Sequence, residues 1–343
     1  TMKRKVNEDD NNGGTVASSP TSLVASSPPP SVPASTKQYG RGKILLLGDS
    51  LTQLCFDPSQ GNGDGGSGSG SGWGSALAHR YQRRADVLNR GMSGYNSWWY
   101  LKYAAEDGDE GEMSASHIWT EPGNVLLITI FFGANDAALP DQGSARLHVA
   151  LDDYRMNLMK LIDLANRSYP NAKIIVITPP PVYGPQRLAW QKKRYGDQAT
   201  GIVERTTEHT QHYAAMCNEV AQRFLKNVAC MDLFTAMLES NKKNTNDTAT
   251  IGAYFYDGLH FSPAGHDFVY QLLLATIAKH FPELVVTPCP VTEQPNNSGS
   301  VCTGIPNNGP HHDEIGTDHR YTECASMIEE CNDRARYDGY MGY

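Results

Sequence analysis

Apolar residues gather in five short runs, separated by longer stretches in which they recur at helical spacing. The first run is Lys43-Ile44-Leu45-Leu46-Leu47, closed by Gly48-Asp49-Ser50-Leu51. Four consecutive apolar residues bounded by Gly predict a strand buried on both faces, as inside a parallel sheet. Four more runs follow: Asp86 to Asn89, Val125 to Ile130 (apolar apart from Thr129), Ala172 to Ile177 and Val228 to Asp232. Helices are predicted from Trp73 to Tyr81 and at Trp98, Trp99 and Leu101, with Ser97 as the N-cap of the second. Leu151, Tyr154, Leu158, Leu161, Ile162 and Ala165 predict a long helix. Tyr213, Ala214, Cys217, Val220, Ala221 and Phe224 predict another. A short helix is expected over Phe234 to Leu238. A last one runs from about Ala264 to Phe281, opened by Ser262 and Pro263 and ended by Pro282. Repeated strand–helix–strand units imply a parallel α/β sheet with right-handed crossovers. Residues 184–203 lack such periodicity and read as a polar, irregular insertion, and 241–250 as polar loop.

Three segments fall outside this pattern. Residues 1–40, rich in Ser, Pro, Asn and Gly, are expected to be disordered, as is most of 287–343 apart from a short helix near Glu323 to Asn332. The Gly/Ser-rich run 58–72 reads as a flexible insertion. That leaves 41–286 as one folded domain. The polar tails account for a mean hydropathy of −0.47 in a chain that is 39% hydrophobic.

Charge and composition narrow the function. A net charge of −8 over 343 residues disfavours a nucleic-acid partner. No apolar run approaches the length of a membrane span, and the polar N-terminus has no apolar signal core, so a cytoplasmic location is expected. The seven cysteines include no C-x-x-C pair and read as free thiols. The acidic stretch 106–112 fits no calcium loop. His209 and His212 share a helix face but have no third ligand in reach, so no metal is expected. The turns near Ser93 and Gly133 are not phosphate loops, and no cofactor is called for.

Ser50 is the candidate nucleophile. It lies just past the carboxyl end of the first strand, the edge at which open α/β sheets bind ligands. A serine needs a base, and Asp257-Gly258-Leu259-His260 supplies one. A single tight turn brings the carboxylate to Nδ1 and leaves Nε2 to take the Ser50 proton. The G-x-S-x-G elbow of α/β-hydrolases is missing. Gly91-Met92-Ser93-Gly94-Tyr95-Asn96 and Gly133-Ala134-Asn135-Asp136 follow strands, and a glycine amide with an Asn side chain is what an oxyanion hole requires. Asp49 reads as structural, bonding backbone around the Ser50 turn.

Gly48-Asp49-Ser50-Leu51, Gly94, Gly133-Ala134-Asn135-Asp136 and Asp257-Gly258-Leu259-His260 resemble, in order, the four blocks of the GDSL or SGNH hydrolase family. Gly72-Trp73-Gly74, Val87 to Gly91, Ser93 to Asn96 and Thr178-Pro179-Pro180-Pro181 are similar to the isoamyl acetate-hydrolysing esterases within it. The resemblance covers roughly Gly42 to Leu284. It implies a three-layer, flavodoxin-like sandwich with a five-stranded parallel sheet. It also implies a cofactor-free serine esterase with Ser50, Asp257 and His260 as catalytic residues. The Ser50 and Gly94 amides and the Asn135 side chain would form the oxyanion hole. Short acetate-type esters of small alcohols are the implied substrates, with the Pro179–Pro181 loop lining the acyl pocket. By block position Leu51, Trp98, Pro180 and Val182 fall near the site. An acetylated carbohydrate, a lysophospholipid or a thioester remain alternatives, as do acyl transfer to an alcohol and a silent interaction module.

Overall fold

A computed structural model describes residues 41–57, 72–105, 119, 124–224, 226–243 and 251–286. The two tails, nearly all of the Gly/Ser-rich insertion and the acidic stretch 106–112 lie outside the described residues.

Five strands form one sheet: β1 (Gly42–Gly48), β2 (Ala85–Gly91), β3 (Val125–Phe131), β4 (Lys173–Ile177) and β5 (Val228–Met231). Their order is β2-β1-β3-β4-β5 and every pairing is parallel. Among the described residues the α-helices are α1 (Ser50–Gln53), α2 (Trp73–Arg80), α3 (Ser97–Ala105), α4 (Leu151–Ser168), α5 (Gly184–Tyr195), α6 (Thr207–Gln222), α7 (Leu233–Lys243) and α8 (Pro263–His280). The strands are apolar on both faces because helices cover both. Ile44, Leu46, Leu127, Ile175 and Ile177 pack with Trp73 and Leu77 of α2 and Val269 and Leu273 of α8. The alternating set Leu45, Leu47, Ile128, Ile130 and Val176 packs with Tyr100 of α3, Tyr154 and Leu158 of α4, and Cys217 of α6. The result is the three-layer α/β sandwich that the hydrophobic pattern and the block order implied.

Three expectations are corrected. Residues 184–195 are a helix, α5, rather than an irregular insertion. Pro185 sits in its first turn, a favoured position. Its buried residues are Arg187 and Gln191, one turn apart and both bonded to Glu204, so its inward face carries no apolar period. The cap of α3 also moves by one residue: the Asn96 side chain accepts from the Trp99 amide at 2.8 Å, while the Ser97 amide donates to Asp136. In addition α7 is longer than predicted, ending at Lys243.

The start of α5 is pressed onto the Asp257–His260 turn. The Tyr183 amide donates to the Gly258 carbonyl at 2.9 Å. Gly258 has φ +82°, and a Cβ there would lie 2.4 Å from the Tyr183 oxygen and 2.7 Å from the Arg187 nitrogen. Left-handed strain and overpacking together predict that Gly258→Ala lowers stability by about 2–5 kcal/mol. Thermal unfolding checks this; an unchanged midpoint would show that the turn relaxes freely. No helix among the described residues is long and apolar enough to cross a membrane.

Candidate active site

The carboxyl ends of β1, β2 and β3 deliver the first three sequence blocks to one edge of the sheet. After Gly48 the chain turns at once into α1. Asp49 caps that turn, its Oδ1 accepting from the Leu51 amide at 2.9 Å. Ser50 is therefore the first helical residue, and it is 7% exposed.

The fourth block arrives from the other end of the chain. Phe255 and Phe261 form an antiparallel bridge, and the Tyr256 amide donates to the His260 carbonyl, closing a small hairpin. Inside it the two oxygens of Asp257 are fully used. Oδ1 accepts from the Leu259 and His260 amides at 2.9 and 2.8 Å. Oδ2 faces His260 Nδ1 at 2.8 Å and accepts from Arg187 Nη1 at 2.9 Å. His260 Nε2 then lies 3.0 Å from Ser50 Oγ. With Nδ1–H donating to the carboxylate, Nε2 presents its lone pair to the serine hydroxyl. Burial alone would raise the Asp257 carboxyl, but the hydrogen bond and charge of His260, with Arg187 behind them, hold it down at about 2.

Asn135 follows β3 and is 5% exposed. Its Oδ1 accepts from Arg205 Nη2 at 2.9 Å, and its Nδ2 donates to the Tyr95 carbonyl at 2.8 Å. These two bonds fix which end of the amide is which, and the Nδ2 group has a second N–H. Gly94 adopts φ +80° with nothing within 4 Å of where a Cβ would stand, so its surroundings are open.

Two buried carboxyls lie beneath this edge. Asp136 Oδ1 accepts from the Ser97 amide, whereas Asp136 Oδ2 and Asp49 Oδ2 have no hydrogen-bond partner among the described residues. Burial pushes Asp136 up to about 6 and, helped by the charge of Asp136, Asp49 up to about 7. The folded pKa of Asp49 thus exceeds that of an unfolded aspartate, about 3.9. Between those values the unfolded chain binds fewer protons, so this group makes the fold lose stability as pH rises from about 4 to about 7. Asp49→Asn is expected to remove that loss. It should be more stable than wild type at pH 8 by on the order of 3 kcal/mol, with the two proteins converging near pH 4 in urea titrations.

A tight recess lies beside the serine, lined by Ser50, Leu51, Leu54, His260, Phe261 and His266, with no room for a water-sized sphere. Of the four residues expected near the site from block position, Leu51 lines this recess. Trp98 instead is 52% exposed and lines a separate groove with Arg146 and Met156. Val182 is buried, its amide bonded to Thr207 Oγ1. His266, which carried no motif signal, is buried with its Nδ1 accepting from the Trp73 amide, and burial pushes it down to about 4. His209 is half-buried beside His148, and no group of three metal-ligating side chains occurs among the described residues.

The charged residues Arg187, Glu204 and Arg205, all within 5% of full burial, were not foreseen as part of the site. They stand in polar stretches, and no motif or spacing marks them.

Residues 46–268 match the GDSL-like lipase/acylhydrolase family. The chain is 35% identical over 241 residues to the mouse isoamyl acetate-hydrolyzing esterase 1 homolog, covering 69% of this chain and 82% of that one. It is 30% identical over 241 residues to the isoamyl acetate-hydrolyzing esterase of Saccharomyces cerevisiae, covering 70% and 88%. Among solved structures, an acetylxylan esterase from Geobacillus stearothermophilus aligns at a TM-score of 0.48 and 22% identity, covering 70% and 95%. Fold and family matches define the class, a carboxylic ester hydrolase. Within that class, the chain belongs to the GDSL-like lipase/acylhydrolase family.

Proposed function

We propose that the protein is a serine esterase that hydrolyses short-chain esters, acetate-type esters of small alcohols foremost, through an acyl-Ser50 intermediate. The observation that carries this reading is the unbroken line from Ser50 Oγ to His260 Nε2 (3.0 Å) and from Nδ1 to Asp257 Oδ2 (2.8 Å). Ser50 Oγ attacks the ester carbonyl and passes its proton to His260 Nε2. The carbonyl oxygen becomes an oxyanion, held by the Ser50 and Gly94 amides and the free N–H of Asn135 Nδ2. His260 then returns the proton to the departing alcohol, and water repeats the sequence on the acyl-serine to release the acid.

The short acyl chain is supported by the tightness of the recess, which admits no water-sized sphere and so offers a long chain no ready channel beside Ser50. Leu51, Leu54 and Phe261 offer it apolar walls. The yeast relative's name, an isoamyl acetate-hydrolyzing esterase, points the same way. The test is hydrolysis of p-nitrophenyl esters from acetate upward in chain length. A maximum at acetate or butyrate is expected; a maximum at octanoate or beyond would overturn the short-chain assignment. In the same assay Asn135→Ala is expected to lower kcat about a hundredfold or more with KM little changed, the mark of a group that acts on the transition state.

A further inference from the structure

Three buried charges that touch no reacting atom join the two halves of the site. Glu204 Oε1 accepts from Arg187 Nε at 2.6 Å and from Arg205 Nη1 at 3.0 Å. Gln191 Nε2 donates to its other oxygen. From this single carboxylate the two guanidiniums diverge. Arg187 Nη1 reaches Asp257 Oδ2, the oxygen that also faces His260 Nδ1. Arg205 Nη2 reaches Asn135 Oδ1, and its Nε donates to the Ala134 carbonyl at 2.7 Å. Arg187, Glu204 and Arg205 are 5%, 4% and 3% exposed.

Stability alone does not account for such an arrangement. Desolvating each ion costs several kcal/mol, and packed apolar residues commonly serve a core as well. What the charges supply is orientation. A guanidinium is a planar fork of donors with no acceptor, so it donates only to the oxygen end of an amide. Arg205 therefore keeps Oδ1 of Asn135 turned away and Nδ2 turned toward the position an oxyanion would take. Arg187 does the corresponding work on Asp257.

We propose that Arg187, Glu204 and Arg205 form one positioning clamp that sets Asp257 and Asn135 together, coupling the base side of the site to the oxyanion side. This rests on the esterase reading above. Arg205 reaches the oxyanion side through the Asn135 side chain, so the decisive measurement is a double-mutant cycle on kcat for p-nitrophenyl acetate. Arg205→Met is expected to cost about tenfold to a hundredfold in kcat with KM nearly unchanged, because the freed amide samples its flipped orientation. In the Asn135→Ala background the same substitution is expected to cost less than threefold. A purely structural role gives the same loss in both backgrounds and overturns the proposal. Arg205→Lys, which keeps the charge but not the fork, runs the same cycle should the Met variant not fold. On the other arm, Arg187→Met removes a positive charge beside the Asp257–His260 pair, which then binds a proton more readily. The acid limb of the kcat/KM profile is expected to move to higher pH; an unmoved limb with full kcat contradicts the Arg187 arm. Wild type is assayed beside Ser50→Ala. Absence of Ser50-dependent turnover in wild type sinks the esterase reading, and the clamp with it. Normal wild-type turnover with additive variants sinks the clamp alone.

Discussion

Ser50→Ala is expected to lower kcat toward p-nitrophenyl acetate by about five to six orders of magnitude, with KM within a few-fold of wild type. The size of the loss follows from the chemistry: without Oγ there is no acyl-enzyme, and His260 has no nucleophile to activate. The few-fold limit on KM follows from what remains. In the proposed mechanism the Gly94 and Ser50 amides and the Asn135 side chain would still hold the ester, and such donors alone sustain about 10³–10⁴-fold catalysis over water. The fold should not suffer. Asp49, not Ser50, caps α1 through its bond to the Leu51 amide, and the serine hydroxyl's contact in this structure is with His260. A thermal midpoint within about 2 °C of wild type is therefore expected alongside the lost activity. Activity that survived the substitution in a folded protein would place the nucleophile elsewhere and remove the foundation of the proposed mechanism.

The sequence disclosed those parts of the molecule whose determinants are local. A strand buried on both faces is an unbroken apolar run, so Ile44 to Leu47 and Ile174 to Ile177 were readable without any knowledge of their neighbours. The Asp257–His260 pair was readable because one turn of chain holds both partners, and the Ser262–Pro263 start of α8 because capping is written in adjacent residues. Helix α5 was not readable, since the residues it buries are Arg187 and Gln191. A helix whose inner face is a hydrogen-bond network shows no apolar period. The clamp was hidden for a related reason. Its contacts span 70 residues from Arg205 to Asn135 and 70 from Arg187 to Asp257, and a charged side chain in isolation carries the signature of a solvated surface. The one-residue error at α3 has the opposite origin. Asn96 and Ser97 are both good caps, and only the tertiary demand of Asp136 for the Ser97 amide decides between them.

Asp257→Asn is expected to lower kcat about 10⁴-fold near neutral pH, and it is the change that separates orientation from charge in this site. Asp257 Oδ1 holds two backbone amides, so an asparagine keeps its oxygen there and turns Nδ2 toward His260 and Arg187. A donor facing Nδ1 selects the tautomer with the proton on Nε2. That nitrogen then donates to Ser50 Oγ instead of accepting from it, and the base is lost although every atom is in place. The same Nδ2 meets Arg187 Nη1, donor against donor, which leaves a buried guanidinium hydrogen without its acceptor. Stability is accordingly expected to fall by about 1–3 kcal/mol, moderated by the bonds Arg187 retains to Glu204. The pH dependence of stability should change with it. Asp257 is held at about 2 in the fold, below its unfolded value, so it stabilises the native state above about pH 4 and that contribution fades as pH falls toward 2. The variant lacks this group, so its deficit relative to wild type should shrink over that interval in acid unfolding followed by circular dichroism. A variant that kept wild-type turnover would show that His260 needs no orienting carboxylate, whereas one with lost turnover and an unchanged acid-unfolding curve would show that Asp257 is not held below its unfolded value.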